Sequence, residues 1–247
     1  AGRREGCPLS HAYGQGAAPA SGKLSLSQLK VAFSEDLGFA PVDRYVRGAF
    51  QERAKALAPH FAAAEEKDPA LGDVDRIFEV LRAVGFLAAH REAYEKQPDL
   101  LGPNVTANVE LGLTYSAVDV ADATRGHSAL YRGFIDFMKS YDLLICPVAA
   151  VQPFPKEQLY PAQIDGKDLA TYISWVGIAY GVTLTGHPVV VLPCGRDDRG
   201  MPFGLQLVGR YGQDLTLLAL AEALEGLLAD GDYRRPLPDL AALRAGG

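Results

Sequence analysis

"TLTGHPVVVLPCGRDDRGMPFGLQLVGR", residues 183–210, reads as two strands joined by a charged turn. Val189-Val190-Val191-Leu192 is an unbroken apolar run, opened by Gly186-His187-Pro188 and closed by Pro193-Cys194-Gly195. "GRDDRG" (195–200) turns the chain, and "GLQLVG" (204–209) returns it to the sheet. Runs that are apolar on both faces predict strands covered by helices on both sides. In open α/β sheets, ligands collect beyond the strand ends, where loops diverge. The breaks "ICP" (145–147), "TGHP" (185–188) and "LPCG" (192–195) are therefore candidate pocket walls, and Pro147, Gly186 and His187 are candidate binding residues.

Working outward, "YDLLICP" (141–147) is a further buried strand ended by proline, and residues 148–166 form a proline-containing loop. Long loops inside compact domains tend to be functional. Residues 168–181 have helical character and carry Tyr172 and the single tryptophan, Trp175, which would add apolar surface to the pocket. Asp214 to Leu228 is a helix with Leu217, Leu220, Ala221, Leu224 and Leu227 on one face. Towards the N-terminus, "LKVAF" (29–33) is a short strand, and Asp43 caps a helix expected to run to about Ala64. Val74, Ile77, Phe78, Leu81, Val84 and Leu87 recur at helical spacing between Asp73 and Lys96, with Arg76, Glu79 and Arg82 on other faces. Residues 105–139 form one long or broken helix containing Gly112, Gly126 and Gly133. Strands and helices intermix, so the class is α/β, with a mixed twisted sheet covered by helices on both sides. Three regions are expected: a flexible tail or linker over 1–22, a folded portion over 23–230, and a C-terminal tail over 231–247.

The bulk numbers exclude several functions. A net charge of −6 over 247 residues, with the positive charges scattered, recommends no nucleic-acid or anionic-membrane partner. There is no apolar run of about 18 residues to span a membrane, and residues 1–22 carry no apolar leader core. Cys7, Cys146 and Cys194 form neither a disulfide framework nor a zinc site, which points to a reducing, cytoplasmic setting. No cofactor or metal is expected: "GQGAAP" (14–19) fails as a dinucleotide fingerprint, and the five histidines never stand at i, i+4.

The search for a nucleophile is equally negative. "GHSAL" (126–130) lacks the second glycine of a nucleophile elbow, so Ser128 is an ordinary helix residue. Asp197-Asp198 occupies a turn, where Asp is favoured for backbone reasons. Cys146 and Cys194 adjoin apolar strands, whereas a reactive thiolate needs an electropositive or base-paired setting. They nonetheless define one alternative, a cysteine hydrolase. A second alternative is a non-catalytic binding or scaffold domain.

"YDLLICPVAAVQPFP", "TLTGHPVVVLPCG" and "GMPFGLQLVGRYGQDLTLLALAEALE", in this order and spacing, resemble the C-terminal part of the amidase signature enzymes, and "LKVAFSEDLGFAPVD" resembles the strand after their signature region. The resemblance runs from about Leu29 to Glu225 and is most specific over 183–225. It implies hydrolysis of a carboxamide C–N bond through a Ser–cis-Ser–Lys triad, in which a neutral lysine acts through a bridging serine and a glycine-rich loop stabilises the oxyanion. Both serines of the family belong to a Gly-Gly-Ser-Ser-Gly-Gly-Ser-like stretch with the lysine upstream, and neither "PASGKLSLS" (19–27) nor Lys23 fits that pattern. The resemblance thus implies the substrate-pocket portion of an amidase, inactive alone, with a small-molecule amide as ligand. It also implies self-association through surface that further polypeptide would bury. Pro147, Tyr172, Trp175, Thr183, Gly186 and His187 are the residues expected to shape the pocket, with no catalytic residue among them. Thr183 stands where many members have asparagine. Val109-Glu110 precede Leu111-Gly112 where the glutamine-using amidotransferase subunits carry arginines, which favours a neutral or apolar amide.

Overall fold

A computed structural model describes residues 25–229 and 231–234. The tail expected over 1–22 and most of that over 231–247 lie outside them. In chain order the elements are β1 (Lys30–Phe33), α1 (Arg44–Leu57), β2 (Ala63–Glu66), α2 (Val74–Lys96), α3 (Pro103–Thr114), α4 (Ala117–Phe137) and β3 (Leu143–Pro147). There follow a two-strand ribbon, β4 (Gln163–Ile164) and β5 (Lys167–Asp168), then α5 (Gly177–Leu184), β6 (Val189–Arg196), β7 (Pro202–Val208) and α6 (Asp214–Leu228). The main sheet has the order β2-β1-β3-β7-β6. β1 lies parallel to β2 and β3, while β7 is antiparallel to β3 and β6.

Asp43 caps α1 as expected, its side chain accepting from the Tyr45 N–H. The helix stops at Leu57, short of Ala64, and one 3₁₀ turn over Ala58–His60 finishes it. Pro59 has no N–H to give and its ring opposes the carbonyl four residues back, so the helix cannot continue through it. This frees Ala63–Glu66 to form β2, a strand that composition conceals because Ala and Glu are poor strand formers. β2 exists because β1 offers it backbone partners: Ala62 N–H donates to Leu29 O (2.9 Å) and Lys67 N–H to Phe33 O (2.9 Å).

The helix expected over 105–139 is broken, and no glycine breaks it. Ser116 and Asp119 form a reciprocal capping box that starts α4 afresh after α3 ends at Thr114. Gly112 has a different task. A Cβ there would lie 2.6 Å from the Ala83 carbonyl oxygen, so a side chain at 112 would force α3 away from α2. In α2, Val74, Ile77, Val80 and Ala83 are buried, while Val84 and Leu87 are half-buried. Tyr180 of α5 stacks on Phe78 of α2 (4.2 Å between centroids) and donates to Asp75 (2.6 Å). The helix expected over 168–181 begins only at Gly177. The preceding residues form the end of the β4–β5 hairpin, turning at Asp165-Gly166 with φ of 50° and 76°, and then a 3₁₀ turn over Ser174–Val176.

Helices cover β3 and β7, whose residues are buried apart from Pro202 at the start of β7. β6 is an edge strand and differs from the expectation twice. Pro193 does not end it, since an edge position needs no N–H on its outer side. Its burial alternates instead of being complete: Val189 and Val191 are 38% and 51% exposed, Leu192 and Cys194 buried. The register is irregular between Pro193 and Arg196, and Gly195 there adopts φ +73°.

Arg53 of α1 holds this irregularity. Its guanidinium, 1% exposed, donates to Cys194 O (3.1 Å), to Ala49 O (2.8 Å) and to Arg196 O, and lies 4.7 Å from the ring centres of both Phe203 and Tyr233. Arg53→Met would leave the buried Cys194 carbonyl and the Arg196 carbonyl without this donor. Chemical denaturation should show a loss of about 3 kcal/mol. Arg53→Lys should recover little of it, because an ammonium cannot fork across both carbonyls.

Candidate functional site

The sheet register decides which strand ends can share a pocket. Val189 pairs with Val208, and Val208 with Leu144, at one end; Leu192 pairs with Leu205, and Leu205 with Pro147, at the other. "TGHP" therefore lies at the entry of β6, while "ICP" and "LPCG" lie roughly a strand length away, on the order of 15 Å. The three breaks do not form one wall. Pro147 and Pro193-Gly195 share the end at which the parallel strands β1 and β3 reach their carboxyl termini, the ligand side of an open α/β sheet.

At that end Pro147 is buried, and its carbonyl accepts from the Gln206 side-chain amide (3.0 Å). The loop leaving Pro147 returns across Trp175 and Tyr172. Trp175 meets Phe154 edge to face (5.5 Å, 83°), and Tyr172 meets Tyr160 (5.8 Å). The structure thus joins the loop to both aromatic candidates, although neither stands on the helix expected for it. Tyr172 brings further residues with it. Its hydroxyl accepts from Arg82 Nη2 (2.7 Å) and from the Asn108 amide, while Asn108 Oδ1 accepts from Arg82 Nη1. Asn108 is 3% exposed and also donates to Asn104 O (2.6 Å). The helical spacing puts Arg82 on a face other than the apolar one, and nothing in the sequence singles out Asn108. Their association spans α2, α3 and the segment before α5, so no local pattern announces it.

The other candidates stand apart. Gly186 takes φ +66°, the left-handed region that glycine tolerates. His187 is 7% exposed, with its ring edge-on to Phe134 (4.6 Å) and near Tyr131 and Tyr211. Its Nδ1 lies 2.8 Å from Thr185 O; a carbonyl only accepts, so Nδ1 carries the proton. Burial lowers its pKa, partly opposed by the Thr185 carbonyl. Thr183 is exposed and donates to Ala179 O within its own helix (2.9 Å). Among the described residues, no hydrogen bond or ring contact links these three to Pro147, Tyr172 or Trp175.

Both described thiols are inert by environment. Cys146 and Cys194 are each 0% exposed. Burial pushes Cys146 up to about 12, with only the Gln206 amide 3.6 Å from the sulfur to oppose it. Burial pushes Cys194 up to about 11 despite the nearby Arg53 guanidinium. This is the reverse of what a thiolate nucleophile requires, and it overturns the cysteine-hydrolase alternative. Ser128 donates to Thr124 O (3.0 Å) on the α4 surface, as an ordinary helix residue does. Ser34 is buried at the end of β1 and donates to Asp68 (2.5 Å) beside a recess of about 480 Å³ lined by Glu35, Asp36, Gln51 and Lys67. Among the described residues, no serine hydroxyl is hydrogen-bonded to a lysine amine. None of the described His, Cys, Asp and Glu residues form a group of three or more that could hold a metal. No described helix is long and apolar enough to cross a membrane.

Sheet order and strand-end loops together define an α/β protein built on a mixed sheet, in which the loop leaving β3 packs its aromatic rings on Trp175 and Tyr172. The chain belongs to the amidase family, whose model matches residues 10–218. The family's chemistry is hydrolysis of carboxamide C–N bonds. The chain is 26% identical over 225 residues to an acylamidase of Rhodococcus erythropolis, covering 89% of this chain and 46% of that protein. A solved amidase, 26% identical, superposes with a TM-score of 0.73 over 81% of this chain and 46% of that one. A 6-aminohexanoate cyclic dimer hydrolase, at 20% identity, shares the fold with a TM-score of 0.76 over 95% of this chain and 52% of that one. The chain thus spans about half the length of these relatives.

Two outcomes follow from the burial of these groups. Iodoacetamide should leave Cys146 and Cys194 unmodified in the native protein and alkylate both in denaturant, as read by peptide mass spectrometry. His187 is easier to protonate unfolded than folded. Its contribution to stability is therefore complete above the ordinary histidine pKa of about 6.5 and is lost as pH falls through the lowered folded value. His187→Gln should flatten the fall in melting temperature between pH 7 and pH 5 relative to the parent.

Proposed function

We propose that this polypeptide supplies the substrate-facing portion of an amidase, and that the attacking serine, the bridging serine and the lysine lie in sequence other than these residues. The amide is held against the carboxyl end of β3, between the loop leaving Pro147 and the rings of Tyr172 and Trp175. Serine attack on the carbonyl carbon forms an acyl-enzyme and releases ammonia or an amine; water then releases the carboxylate. The observation that carries the reading is the pinning of the 148–162 loop onto Trp175 and Tyr172 at the ligand side of the sheet. Family membership and the similarity to an acylamidase support the reaction class. The inert thiols and the lack of a Gly/Ser-rich signature within the 247 residues support a nucleophile outside this sequence.

Trp175 is the single tryptophan, so its emission reports on the pocket directly. Titration with small carboxamides, both neutral and carboxylate-bearing, should change Trp175 fluorescence saturably. The same protein should show neither stoichiometric labelling by a fluorophosphonate nor enzymatic turnover of the amides. Absence of any fluorescence response would refute the pocket. Rapid serine labelling with turnover would refute the placement of the nucleophile.

A further inference from the structure

Arg82 is a half-buried arginine without an ion-pair partner among the described residues. Arg47, Arg76, Arg91 and Arg210 each pair with a carboxylate, whereas no described carboxylate pairs with Arg82. It is half-buried, with its guanidinium 4.6 Å from the centre of the Phe86 ring and 5.4 Å from that of Tyr172. Its hydrogen-bond partners are neutral, the Asn108 amide oxygen and the Tyr172 hydroxyl. A guanidinium has five N–H donors, so these two bonds leave others available. Joining α2, α3 and the Tyr172 segment requires hydrogen bonds but no charge. Partial desolvation of a cation that keeps free N–H donors strengthens its attraction to an anion that arrives.

We propose that Arg82 is a specificity-determining residue that receives a carboxylate carried by the amide substrate, on the part remote from the scissile bond. Its planar fork suits a carboxylate, which can accept two parallel N–H bonds. Asn108 and Tyr172 act as positioning residues that fix the orientation of the fork, and Phe86 limits water on one face. Tyr172 is also in ring contact with Tyr160, which ties the arginine to the loop proposed above to hold the amide. The absence of arginine ahead of Leu111-Gly112 favoured a neutral amide, but the cation comes from the neighbouring helix. This assignment rests on the substrate-facing reading above.

The test compares succinamate with its neutral methyl ester, using Trp175 emission on the intact chain. Succinamate should bind roughly tenfold or more tightly than the ester, with the preference shrinking as salt rises. Arg82→Gln should abolish the preference, so that acid and ester bind alike, and Arg82→Lys should restore only part of it. If the Gln variant fails to fold, the acid-to-ester ratio of the parent protein and its salt dependence decide the matter. Equal binding of acid and ester overturns the role of Arg82 alone. A response to neither overturns the substrate-facing reading with it.

Discussion

Strand β3 has a neighbour on each side, β1 parallel and β7 antiparallel, and all five of its residues are buried. Backbone N–H and C=O groups buried this deeply must be paired, and only strands on both flanks can pair them. The pairing joins the β1–α1–β2 segment, early in the chain, to the β6–β7 hairpin more than a hundred residues later. It also aligns the strand ends. Pro147 lies opposite Leu205, and the loop leaving it starts at the carboxyl end of the parallel strands.

The ends of the sheet are secured by different means. β2 is held by backbone bonds to β1, with side chains that contribute little apolar surface. β6 presents an outer edge and a half-exposed apolar face, and its irregular segment depends on Arg53 reaching across from α1. The buried cation is tolerable there because backbone carbonyls and two aromatic faces solvate it and the exposed Glu52 carboxylate lies 3.5 Å from it. Arg82 uses the same chemistry half-exposed to solvent. Arg53 faces carbonyls that belong to the fold, and Arg82 retains N–H groups that nothing in the described fold claims.

The aromatic wall depends on helix packing as much as on the sheet. Gly112 lets α3 approach the α2 backbone near Ala83, next to Arg82, and the same approach brings Asn108 within reach. Tyr180, stacked on Phe78, fixes α5 against α2, and with it the turn that carries Trp175. The geometry of the site therefore draws on residues from four separate segments, and its rigidity is that of their packing.

Much of the fold was legible in the sequence. Apolar runs located β1, β3, β6 and β7; Asp43 and Asp73 marked helix starts; the spacing of Leu217, Leu220, Ala221 and Leu224 gave the buried face of α6. These features are local, set by side-chain period and by capping within a turn or two. β2 was hidden because "AAEE" has no strand signature and pairs only when β1 is present. The sequence names candidate residues one by one, but it does not give their grouping. Register alone separates Gly186 and His187 from Pro147, and packing alone brings Arg82 and Asn108 to Tyr172. By itself the sequence determined most of the strands and helix starts, the amidase resemblance and the absence of a Gly/Ser-rich signature. Tertiary structure alone decided which strand ends share a side and which polar groups meet, because both depend on pairings between residues tens of positions apart that no local pattern encodes.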